Sequence, residues 1–173
     1  MTLKGRECRP LKFFSLIIIL MAGSCSHTRP PNEPSFEERL KRLEAAAPGV
    51  GEVMFGVQVH FAKLYYAADA GNWKLAEFEI EEVRENMERS ATLRPEENGV
   101  KLAGVIDAFE QTQVAAMKHA IEKRELKLFQ QAYIEAIAVC NSCHQSTGRP
   151  FIVITEPASP PVPNQQWTPP VEH

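Results

Sequence analysis

ELKLFQQAYIEAIAVCNSCHQ, residues 125–145, is the stretch that settles what kind of chain this is. Phe129, Tyr133, Ala136, Cys140 and His144 recur at steps of three and four, which puts them along one stripe of an α-helix. Three further segments carry the same period. Residues 51–70 place Val53, Met54, Val57, Phe61, Leu64 and Ala68 on one face, with Gly71 at the end. Asn72 is an N-cap for a helix from Trp73 to Arg89, with Trp73, Ala76, Ile80, Val83 and Met87 inward. Its acidic residues Glu77, Glu81, Glu82, Glu85 and Glu88 take the other faces, as a solvated surface would. Residues 93–99 (LRPEENG) read as a loop, followed by a helix over 100–122 with Leu102, Ile106, Phe109, Gln113, Ala116 and Ala120 inward.

The expected fold is therefore all-α: an antiparallel up-down-up-down four-helix bundle with short connections. A short N-terminal helix, residues 36–47, precedes it and stops at Pro48-Gly49. The ends are rich in proline. Residues 25–35 read as an extended tether, residues 36–156 as the helical domain, and residues 157–173 as an extended, non-helical tail. About 120 residues between the two ends suffice for one core, and no internal repeat is present.

The end of the 125–145 helix carries chemistry. Cys140-Asn141-Ser142-Cys143-His144 is C-x-x-C-H, the attachment motif of c-type haem. Two thiols three positions apart can each add to a porphyrin vinyl group, and the adjacent imidazole can lie under the iron as its proximal ligand. A zinc site would need about four ligands, and no second Cys/His cluster supplies the rest. A thioredoxin-like dithiol expects a preceding strand, where this sequence has a helix. The expected cofactor is one covalent haem c, held by Cys140 and Cys143 and ligated by His144.

Such attachment belongs outside the cytoplasm, and the start of the chain agrees. Lys4, Arg6, Arg9 and Lys12 precede the ten-residue apolar run Phe13–Ala22, so residues 1–24 read as a signal peptide. Ala22-Gly23-Ser24-Cys25 fits ordinary cleavage and also resembles a bacterial lipobox, although Ala22 stands where a larger aliphatic residue is usual. A lone thiol is a liability in an oxidising compartment, which favours a lipid anchor at Cys25 on a periplasmic protein. Of the four cysteines, Cys8 leaves with the signal, so none remains for a structural disulfide. Removing residues 1–24 leaves 15 basic and 21 acidic residues, a net charge of −6, which disfavours nucleic acid and allows docking on a basic redox partner protein.

Within the expected bundle, helix level ranks the candidates for a sixth iron ligand. At about 1.5 Å per residue, Met54 lies near the level of the C-x-x-C-H turn and His60 about 9 Å above it. Met54 is the first candidate and His60 the second; an open position lined by apolar side chains is the third. Met54 as core filling and His60 as a boundary histidine are the corresponding structural readings.

A C-x-x-C-H motif on the last helix of a four-helix bundle resembles the cytochromes c-prime and their low-spin relatives. In those relatives a methionine from the first helix completes the coordination. The resemblance covers about residues 50–146, and CNSCH is its specific element. The segments HFAKLYYA, NWKLAEFEIEE and CNSCHQSTGRPFIVI also look like small bacterial periplasmic cytochrome c proteins. This sequence departs from the c-prime pattern after His144: Gly148-Arg149-Pro150 breaks the helix, and Phe151–Ile154 reads as an extended segment folding back over the same end. Arg149 there is a candidate propionate partner, or a cation serving the helix dipole.

The resulting expectation is a monohaem cytochrome that carries single electrons and is not an enzyme, with no Ser/His/Asp set, phosphate loop or carboxylate pair. The alternatives are a small-gas (NO or CO) binding or sensing haem protein with an open sixth site, and a haem-bearing accessory subunit of a respiratory enzyme.

Overall fold

The computed structural model describes residues 33–171. The signal peptide, Cys8, Cys25 and most of the 25–35 tether lie outside the described residues. The chain divides into two units, residues 1–44 and 45–173. The described part is predominantly helical, with one two-stranded sheet. No helix among the described residues is long and apolar enough to cross a membrane.

Helix α1, Phe36–Ala46, opens with a reciprocal cap. Ser35 Oγ accepts from the Glu38 amide at 3.1 Å, and Glu38 Oε2 accepts from the Ser35 amide at 2.7 Å. This capping box satisfies two donors that a helix N-terminus otherwise leaves open.

In the second unit, α2 spans Val50–Asp69 and α3 Trp73–Leu93. Gly71, at φ +71°, lets the chain reverse in two residues. Its amide donates to Ala68 O, and the Asn72 amide donates to Ala67 O, a Schellman closure of α2. Asn72 then caps α3, its Oδ1 accepting from the Leu75 amide at 3.2 Å. The predicted N-cap is therefore present. Helix α3 continues four residues beyond the predicted Arg89 and ends only where Pro95 forces Arg94 into an extended conformation.

The 93–99 loop is more ordered than expected. Strands β1, Glu96–Glu97, and β2, Val100–Lys101, pair antiparallel across Asn98-Gly99, both at positive φ. Positive φ at both central residues is what a tight hairpin turn needs, and Asn-Gly supplies it. The next helix therefore begins at Leu102 and not at Val100.

That helix is α4, Leu102–Phe109, followed by a π-helical turn, Glu110–Val114, and then α5, Ala115–Lys123. The Ala115 amide reaches back five residues to Glu110 O, while Thr112 Oγ1 donates to Ala108 O at 2.6 Å and competes with the regular ladder. The extra residue in this turn advances the buried face by one. Gln113 and Ala116, predicted inward, give way to Val114 and Met117, and Ala116 is exposed. A strict 3.6 period cannot carry through such a turn.

Helix α5 closes on Arg124, at φ +56°. A side chain in the left-handed region costs about 1–2 kcal/mol, partly offset in glycine by its greater unfolded-state entropy. Arg124→Gly is thus expected to raise stability by about 0.5 kcal/mol, seen as a higher urea midpoint at unchanged slope. A lower midpoint would mean that the Arg124 side chain contributes more than its backbone costs.

Helix α6, Leu126–Ser146, is the 125–145 segment that the sequence marked out. Helix α2 packs along α3, α3 against α4 and α5, α5 against α6, and α6 against α2. Leu64, Ile80, Met117, Phe129, Tyr133 and Ala136 meet in the shared core. Phe61 stacks on Tyr133 at a centroid distance of 4.1 Å, and the Tyr133 hydroxyl donates to Phe61 O at 3.0 Å. A buried phenol thus finds a partner, as its desolvation requires. Among the described residues the tail beyond Pro157 has no helix, but it is anchored: Tyr66 donates to Pro157 O at 3.1 Å and its ring meets Trp167.

Candidate functional site

Cys140, Cys143 and His144 lie in the last two turns of α6, all partly buried. The end of this helix is heavily capped. The Gly148 amide donates to Gln145 O and the Arg149 amide to His144 O at 2.7 Å, the Schellman pattern with Gly148 at φ +78°. Thr147 donates to Cys143 O from both its amide and its hydroxyl, and Ser146 Oγ adds a third bond. The helical turn that carries the motif is thereby held rigid to its last residue.

A second layer comes from the hairpin. Asn98 Nδ2 donates to Thr147 O at 2.6 Å, and Glu97 pairs with Arg149 at 3.0 Å and with Arg94 at 3.5 Å. A side chain at Gly148 would collide with the Asn98 amide, so only glycine permits this approach. Arg149 also donates to Thr147 O at 3.4 Å, near the negative end of the helix. The candidate propionate partner is thus already engaged by Glu97 and the helix terminus.

A third layer is the extended segment after Pro150. It turns back along α6, as its sequence suggested. Asn141 bonds the backbone of Ile154 twice, accepting from its amide at 2.8 Å and donating to its carbonyl at 2.9 Å. Two residues earlier, the Ile152 carbonyl lies 3.0 Å from His144 Nδ1. A carbonyl only accepts, so Nδ1 bears the proton and Nε2 keeps its lone pair in the neutral ring. Phe151 and Val153, alternating with the anchored residues, are 79 % and 65 % exposed.

The thiols are quiet in the folded chain. Burial, with the neighbouring Cys143 thiol, pushes the Cys140 thiol up from 9.0 to about 11, and burial also raises Cys143. The haem-free folded chain is therefore expected to react slowly with iodoacetamide near pH 7, Cys143 ahead of Cys140, accelerating as pH rises. Peptide mapping by mass spectrometry would check the order; equal rates with both as fast as a free thiol would sink it. The linkage sign follows: the stability that the protonated Cys140 thiol contributes is complete below pH 9.0, the unfolded value, and is lost as pH rises through about 11; Cys143 acts in the same direction.

Of the two sixth-ligand candidates, Met54 is half-buried on α2, one residue from the exposed Phe55. His60 sits among carboxylates. Its Nδ1 lies 2.7 Å from Oε2 of Glu79, a fully buried residue on α3, and its Nε2 lies 3.8 Å from Glu82. Lys63 reaches the other Glu79 oxygen at 2.5 Å. Sequence reading missed Glu79, although its spacing of three from Ala76 already put it beside the inward stripe. It missed Asn141 too, because the partner of Asn141 lies 13 residues away. Among the described residues, no three His, Cys, Asp or Glu side chains converge to hold a bare metal ion.

No protein-family model, curated protein or solved structure matches this chain.

Proposed function

We propose that this chain is an exported monohaem c-type cytochrome that carries single electrons, and that its helices form an antiparallel up-down-up-down four-helix bundle of the c-prime kind. The observation that carries this reading is the hydrogen bond from His144 Nδ1–H to the Ile152 carbonyl. Metal-bound histidines characteristically donate their second ring nitrogen to a carbonyl or carboxylate, which sets the tautomer and raises ligand basicity. Here that partner comes from the segment that Asn141, within the motif itself, clamps in place.

The residues present fit the group. Cys140 and Cys143 would hold haem c by thioether bonds, and His144 would offer Nε2 to the iron. The group supplies reversible one-electron Fe(III)/Fe(II) chemistry. The protein's own task is to fix the imidazole, keep water from the metal and leave an edge open to a partner. A net charge of −6 after removal of the signal suits a basic partner, and Cys25 would tether the domain to the membrane.

The closed circuit of helix contacts and the short connections support the bundle. Its register supports Met54 as sixth ligand. Phe61 and Tyr133 stand opposite each other. Two helical turns along each antiparallel helix, about 10 Å, lead from Phe61 to Met54 and from Tyr133 to Cys140 on the same faces. His60 is committed to Glu79.

The test is the visible spectrum of the reduced, haem-matured protein before and after CO. Sharp low-spin α and β bands unmoved by CO are expected, with Met54→Ala lowering the potential, raising the spin and admitting CO. A broad wild-type spectrum that CO shifts would replace electron transfer with the gas-binding reading. Absence of covalent haem would overturn both.

A further inference from the structure

The chain has three tyrosines and two tryptophans. All three tyrosines and one tryptophan form a single line of touching rings. Tyr133 meets Tyr65 at 5.2 Å between centroids, Tyr65 meets Tyr66 at 5.5 Å, and Tyr66 meets Trp167 at 5.6 Å. These separations are those of packed aromatic pairs. The inner end lies near the motif: Tyr133 is two turns from Cys140 on the same face of α6, and burial above all holds its phenol protonated. The outer end is a partly exposed indole in a tail otherwise short of large side chains. Nothing in the tail's own sequence requires that indole to sit there; the Tyr66 hydrogen bond to Pro157 O brings the strand over the ring.

We propose that Tyr133, Tyr65, Tyr66 and Trp167 form an escape route that carries oxidising equivalents from an over-oxidised haem to the protein surface. The inference rests on the cytochrome reading above. Electron tunnelling falls steeply with distance, so four rings in contact carry charge far faster than the same span of aliphatic core. The ends differ in the direction the route requires. Tyr133 is buried, with its hydroxyl bonded to a backbone carbonyl that is no base, so it cannot readily release its proton and does not retain an electron hole. Trp167 reaches solvent, where the indole N–H proton can leave.

The oxidant is hydrogen peroxide, which needs an open position on the iron, so the step is set in the Met54→Ala chain. For the ferrous protein, one peroxide takes up two electrons and two protons to give two waters. One electron comes from the iron, which becomes ferric. The other comes from Trp167, which becomes a neutral radical as its N–H proton passes to water; that proton and one more from solvent complete the two waters.

The experiment uses the full haem-loaded chain carrying Met54→Ala, shown by CO binding to have an open iron, then reduced, freed of reductant and mixed with one equivalent of peroxide and a nitroso spin trap; the further substitutions are made in the same background. Trapped radicals are located by peptide mass spectrometry. The haem absorption recorded before peroxide separates the two levels: a chain without covalent haem overturns the cytochrome reading, whereas a haem-loaded chain that fails below overturns only the route. The expected adduct is on Trp167 and not on Trp73, which joins none of these ring contacts. Tyr65→Leu, confirmed as folded by its melting curve and haem spectrum, should lose the Trp167 adduct. Trp167→Phe keeps the ring but removes the oxidisable indole, and should move the adduct to Tyr66. Equal labelling of both tryptophans, or a Trp167 yield unchanged in Tyr65→Leu, would overturn the route.

Discussion

His144→Ala is expected to abolish the native Soret spectrum of the haem-loaded protein while leaving thioether attachment at Cys140 and Cys143 at least partly intact. Attachment and ligation would use different atoms: the thiols would bond the porphyrin edge, and only His144 Nε2 would face the iron. Removing the imidazole leaves nothing equivalent nearby, because His60 is held by Glu79. A milder variant separates ligation from positioning. Asn141→Ala removes both bonds to Ile154 and so frees the carbonyl of Ile152 from its place beside His144 Nδ1. The imidazole would remain a ligand but lose the partner that raises its basicity, so the reduction potential should rise while the bands stay low-spin. An unchanged Soret spectrum in His144→Ala would end the ligand assignment. An unchanged potential in Asn141→Ala would leave the Ile152 contact as packing alone.

The second large effect is expected at Glu79, which is fully buried and meets His60 and Lys63. A buried carboxylate is tolerated only when its partners repay the cost of dehydration, and deleting one member of such a set strands the others. Glu79→Ala should cost about 3 kcal/mol, measured by urea unfolding. His60 and Lys63 retain some access to water, which keeps the loss from being larger. Glu79→Met, of similar volume, removes the charge without opening a cavity and should recover much of that loss. If Glu79→Ala is neutral, the cluster is not a stabilising element of the α2–α3 contact. His60→Ala belongs beside it: a loss of stability with an unchanged haem spectrum identifies His60 as a partner of Glu79, and an altered spectrum would return it to the iron.

The long helices were legible because a helix is a local object. Apolar residues at steps of three and four, a capping Asn72 and a closing Gly71 act within a few residues of one another, so the sequence reading and the structure agree on α2 and on the start of α3. The two failures have different causes. The π turn at Glu110–Val114 shifts the buried face from Gln113 and Ala116 to Val114 and Met117. No composition signal marks that shift, because core fit decides where an extra residue is absorbed. Asn98-Gly99 did carry a hairpin signal, but between two helices it read as a breaker.

The C-x-x-C-H motif, the helix that bears it, the extended tail and the acidic balance were all determined by the sequence alone, because each depends on residues adjacent in the chain. Tertiary structure alone decided which atoms surround that motif. The Ile152 carbonyl at His144, the Asn98 bond to Thr147, the Glu97 pairing of Arg149 and the ring contact of Tyr66 with Trp167 join residues separated by between 8 positions, for His144 and Ile152, and 101, for Tyr66 and Trp167. Side-chain type specifies what such contacts can be. Which of them form is selected only when the whole chain closes, since each polar group must find its partner in the space that apolar packing leaves.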